Sequence, residues 1–135
     1  MERTGDGRVR VLIAPCPEYD VLQFSIFSKG GSVGYRVWAI SNNAMRGPLG
    51  EIELFSPPTG WRVTEETLKD VKGAHSYTMN VDGAVRGYGV DGRLVFTPRQ
   101  IEALSPGKVL VANRDGAKLA SRLDFMKKDP DRCRQ

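Results

Sequence analysis

The sequence predicts a mainly β chain, an antiparallel β-sandwich or barrel-like domain with one short helix at about 97–104. Three observations predict it. Short segments rich in β-branched and aromatic residues recur between clusters of Gly, Pro, Asn and Asp. Several of them alternate apolar and polar side chains with period two, as half-buried strands do. Only one segment carries a complete helix start.

The elements follow in order. Residues 1–7 are a polar tail, and Arg8 to Ala14 reads as a strand that Pro15 and Pro17 stop, since proline cannot donate to a ladder. In Tyr19 to Ser28, Leu22, Phe24 and Ile26 share one face. Lys29-Gly30-Gly31-Ser32 is a turn, and Val33 to Ser41 continues as a strand. Residues 42–48 read as a loop. Glu51-Ile52-Glu53-Leu54-Phe55 then alternates acid with apolar, a strand with one wet face, and stops at Ser56-Pro57-Pro58-Thr59-Gly60.

Thr64 can cap a second helical turn over 64–71, although no Glu or Gln stands three residues on. His75 to Val81 and Ala84 to Val90 are short strands ended by Asp82-Gly83 and Asp91-Gly92, pairs that favour hairpin turns. Thr97 then offers an N-cap, Pro98 suits the first helical position and Gln100 completes a capping box. Ser105-Pro106-Gly107 ends that helix. Lys108 to Asn113 and Ala117 to Phe125 form a last hairpin, and residues 126–135 are a second polar tail.

The 135 residues suit one domain, 1–135, and 40% hydrophobic against 27% charged argues for a folded core. No stretch approaches the roughly 18 apolar residues of a membrane span. The N-terminus also lacks the apolar core of a signal peptide, so the chain as written is expected in the cytoplasm. Cys16 and Cys133 are the only cysteines. In an oxidising compartment they could form a disulfide, and in the cytosol they would be two separate thiols.

Candidate chemistries fail on spacing. Gly87-Tyr-Gly89-Val-Asp-Gly92 matches a dinucleotide fingerprint as a string, but a strand-like run follows where a helix is required. Lys29-Gly30-Gly31-Ser32 lacks the spacing of a phosphate loop. His75 is the only histidine and has no metal-ligand spacing to either cysteine. Glu51 and Glu53 share a strand face and read as solvated. The sequence therefore predicts no enzyme, catalytic residue, metal or cofactor.

Two binding readings remain. The first is a non-catalytic β-sandwich working through protein–protein contacts. The second is a nucleic-acid-binding β domain, which the net charge of +4 permits. It would use Arg8, Arg10, Arg36, Arg86, Lys127 and Lys128, with aromatic strand residues beside them. Arg36, Trp38 and Ile40 share a face in that reading, and Trp38 is expected in the core.

From Glu51 onward the order of elements resembles the invasion-associated locus B family of small bacterial periplasmic proteins. A strand leads into Ser-Pro-Pro-Thr-Gly-Trp61, and an extended segment ends at Asn80-Val81-Asp82-Gly83. A helix at Gln100 to Leu104, then Pro106-Gly107-Lys108, precedes a hairpin closing at Leu123-Asp124-Phe125. The family usually carries paired cysteines around the turn-rich stretch, and residues 84–96 contain none. The resemblance implies an envelope-associated or assembly component, periplasmic if a signal has been removed.

Overall fold

A computed structural model describes residues 1–13, 19–30, 33–42, 50–67, 76–85, 88–113 and 116–127. The chain is mainly β and antiparallel. Its strands are β1 (Glu2–Arg3), β2 (Val9–Leu12), β3 (Tyr19–Gly30), β4 (Val33–Asn42), β5 (Glu51–Glu53), β6 (Trp61–Glu66), β7 (Ser76–Val85), β8 (Tyr88–Phe96), β9 (Lys108–Asn113) and β10 (Gly116–Ser121). Helix α1 (Pro98–Glu102) lies between β8 and β9, and α2 (Arg122–Met126) follows β10.

Five strands form one sheet in the order β6-β4-β3-β7-β8. The expected hairpin at 29–32 is present, because Gly30 pairs with Val33. The two Asp-Gly pairs are not turns. Both lie inside strands and face each other across the ladder, Asp82 opposite Asp91 and Val81 opposite Gly92. The pair Val85–Tyr88 closes this hairpin instead, around residues 86 and 87, which lie outside the described residues.

Three bulges interrupt this sheet, and those on β3 and β4 change which side chain enters the core. Val21 pairs with Gly83 and Gln23 with Asp82, so Leu22 is the extra residue. Val21 is buried while Leu22 is 46% exposed, and the face expected to hold Leu22, Phe24 and Ile26 holds Val21 in its place. On β4, Ile26 opposes Trp38 and Phe27 opposes Arg36, leaving Val37 as the bulge. Arg36 is thereby turned away from the face of Trp38 and Ile40, which are fully buried. On β6, Thr64 is the extra residue between Val63 and Glu65. Residues 64–66 are strand, which corrects the expected helical turn; residues 68–71 of it lie outside the described residues.

The remaining strands build the opposing layer. β1-β2-β5 form one ladder and β10-β9 another. Met1 joins them, because its amine donates to the Leu110 carbonyl at 2.9 Å and the Leu110 amide donates back at 2.8 Å. Two residues exchanging both hydrogen bonds make an antiparallel pair. The layer therefore runs β10-β9-β1-β2-β5, with Met1 3% exposed in the core. The segment 1–7, expected as a polar tail, supplies its central strand. Phe24, Trp38, Ile52, Phe96, Ile101 and Leu110 from both layers and α1 share one apolar cluster.

The helix expected at 97–104 forms over Pro98–Glu102, with the capping chemistry that the sequence offers. Thr97 has extended backbone, its hydroxyl accepts from the Gln100 amide at 3.3 Å, and the Gln100 side chain accepts from the Thr97 amide at 2.9 Å. The last strand stops at Ser121 rather than reaching Phe125. Ser121 caps α2 by accepting from the Asp124 amide at 3.4 Å.

Candidate functional site

A cleft of about 620 Å³ opens where the β1-β2-β5 ladder meets α1. That size lies within the range of small-ligand sites. Its buried lining is apolar, from Leu54, Pro98 and Ile101, with half-buried Val9 beside them. Arg3, Arg8 and Glu102 line it from exposed positions, and Glu53 is half-buried.

The chain shapes one wall with a tight turn. After β5 the Ser56 amide donates to the Glu53 carbonyl at 3.2 Å, and Phe55 sits at φ 65°. Turns of this kind favour Gly or Asn at that place, and a side chain there costs about 1–2 kcal/mol. Packing offsets the cost, since the Phe55 ring lies 5.5 Å from that of Trp38. Pro57 and Pro58 follow and stiffen the exit.

Charge is paired across this layer. Antiparallel register brings β2 against β5, so Arg8 meets Glu53 at 3.2 Å and Arg10 meets Glu51 at 3.4 Å. The two glutamates, expected as a solvated face, are held in ion pairs. Arg8 also reaches Asp6 at 3.3 Å. The Thr4 hydroxyl donates to Asp6 and, with Arg8, holds that carboxyl below its usual range. The hydrogen bond to Glu53 raises the Arg8 guanidinium further above its ordinary value.

A second cluster is more buried. The Glu2 side chain is 7% exposed and lies between two guanidinium groups, accepting from Arg10 Nε at 2.8 Å and Arg122 Nε at 3.0 Å. It joins β1, β2 and the start of α2. Glu2 and Arg122 escaped the sequence reading because the former stands in a segment that looks like a tail. Arg122 follows Ser121, and Ser121-Arg-Leu-Asp124 is a capping pattern that would have marked the end of β10.

The residues proposed for nucleic acid are not brought together. Arg8 and Arg10 are occupied by carboxylates, and Lys127 pairs with Asp124 at 3.0 Å. Arg36 lies over the Phe27 ring at 5.4 Å on the other sheet. Arg86, Lys128, His75, Cys16 and Cys133 lie outside the described residues. Gly89 to Gly92 sit within β8, with no helix following directly. Among the described residues, no group of three or more His, Cys, Asp or Glu could hold a metal ion. No described helix is long and apolar enough to cross a membrane. Comparison with known protein families, curated proteins and solved structures found no match for the chain.

Proposed function

We propose that the chain is a non-catalytic β-sandwich acting through protein–protein contacts, as an envelope-associated or assembly component. The observation that carries this reading is a pair of large apolar side chains left in water. Leu119 on β10 is 59% exposed, and Leu123 on α2 is 78% exposed. They stand on either side of Ser121, and β10 is the last strand of its ladder. Large apolar side chains left exposed on a surface are a common way for a domain to meet a partner. The envelope setting rests on the resemblance of the order of elements from Glu51 onward in the sequence. The nucleic-acid reading has less support, because three of its four described basic residues already have acidic partners.

The test places a photo-cross-linking residue at position 119 or 123, with position 62 as a control, in the native cell. A partner captured from 119 and 123 but not from 62 is then purified and titrated against the isolated chain. Loss of that binding in Leu119→Lys/Leu123→Lys, with the fold retained, supports the reading. Equal capture from all three positions, or binding that survives the double substitution, overturns it.

A further inference from the structure

The cleft beside α1 carries an inference separate from the leucine surface. Arg3 is fixed at its edge, since Nη1 donates to the Glu102 backbone carbonyl at 3.0 Å. That bond uses one of the five N–H donors of the guanidinium. Among the described residues Arg3 has no carboxylate partner. Arg8, the second arginine of the cleft, differs in this respect, because Glu53 and Asp6 neutralise it.

A guanidinium oriented by a backbone carbonyl presents its remaining donors in a planar fork, which matches the two oxygens of a carboxylate. The apolar side chains of Leu54, Pro98 and Ile101 line the same cleft. The Phe55 wall is held in a left-handed conformation by its packing on Trp38. Strained residues kept in place by the core are found where a ligand must meet a preformed surface. Glu102 gives Arg3 its carbonyl and leaves its own carboxylate exposed, so the fixed cation, not the anion, is the organised group.

The geometry points to a binding site for a carboxylate joined to a compact apolar group, with Arg3 taking the carboxylate and the Leu54–Ile101 surface the apolar part. A free apolar carboxylic acid and the C-terminus of a polypeptide ending in an apolar residue share this chemistry. The site does not depend on the leucine surface, and its failure would leave the protein-contact reading untouched.

The experiment is an amide chemical-shift titration of the full chain with N-acetyl-leucine and with its uncharged amide, N-acetyl-leucinamide. The acid is expected to move the amides of Leu54, Phe55, Ser56 and Ile101, and the amide to bind more than about tenfold more weakly. Arg3→Gln should lose the acid's binding while its spectrum away from the cleft is unchanged, and Arg36→Gln, on the other sheet, should retain it. A hexapeptide with a C-terminal leucine and a free carboxylate separates the two sources. Tighter binding than N-acetyl-leucine assigns a chain terminus, equal or weaker binding assigns a free acid, and both support the site. Equal binding of acid and amide by the unmodified chain, or the absence of any shift at the cleft, overturns it without recourse to a variant.

Discussion

The two layers of this sandwich or barrel-like domain are held by different forces. The β6-β4-β3-β7-β8 sheet contains two hairpins, β3–β4 and β7–β8, joined by the long-range pairing of β3 with β7, and its inner face is Phe24, Ile26, Trp38 and Ile40, all fully buried. The opposing layer joins the two ends of the chain. Met1 pairs with Leu110, 109 residues away, and Glu2 binds Arg122, 120 residues away. Apolar burial dominates the first, while hydrogen bonds and buried charge align the second. In both layers the pairings between neighbours in sequence leave a local signature, whereas β3–β7, β2–β5 and Met1–Leu110 join distant segments and leave none.

The strongest way to break the comparison is through the side chain both layers share. Trp38 is fully buried, with the Phe24 ring 5.8 Å away on one side and Phe55 on the other. Trp38→Ala is predicted to cost about 3–5 kcal/mol. Denaturant unfolding should then show one transition at much lower midpoint; two separate transitions would mean the layers fold independently.

Glu2→Ala sharpens the contrast. It leaves Arg10 and Arg122 without their shared carboxylate, and both guanidinium groups keep some contact with water. The predicted loss is about 1–3 kcal/mol. Hydrogen exchange should accelerate in β1 and β9 before β3 and β7. Uniform acceleration would show that the cluster holds the whole molecule, not one layer.

The third prediction concerns pH. Burial lowers the Met1 amine from 8.0 to about 6. Between these values the unfolded chain binds the proton and the folded chain does not. Stability should therefore rise with pH from about 6 to 8, by up to about 2 kcal/mol, and level off above. Melting curves across that range check it, and a flat profile would place the amine in water. The capping box is smaller still. Thr97→Ala should cost about 1 kcal/mol by thermal melting. Smallest of all, Arg8→Gln and Arg36→Gln should leave no change in oligonucleotide binding measured by anisotropy at low salt. A steep salt-dependent loss would restore a nucleic-acid role.

Much of the first sheet was legible because its strands alternate and its turn at 29–32 has a turn's composition. The helix start at Thr97 was legible in full, since a capping box needs only four consecutive residues. What escaped has a physical cause in each case. A bulge adds one residue and reverses the alternation beyond it, so Arg36 was assigned the face of Trp38 and Leu22 the face of Phe24. Asp82-Gly83 and Asp91-Gly92 have the composition of turns, but pairing over the full length of β7 and β8 outweighs that local preference. The cleft was invisible for a related reason. Arg3, Leu54 and Ile101 come from three distant segments, and no spacing connects them.

The Met1–Leu110 pair has a consequence for biosynthesis. A ribosome releases the chain from its N-terminal side, so Met1 and Glu2 emerge long before the segment that holds them. Until Leu110 and then Arg122 leave the exit tunnel, the strand at Glu2–Arg3 lacks its neighbour on one side and Glu2 lacks one of its two cations. The apolar face of β3 and β4 can form in that interval with only the β1-β2-β5 part of the other layer available to cover it. A nascent chain of this protein is therefore most exposed to wrong partners before Leu110 and Arg122 appear, and a chaperone that shields it would act in that window.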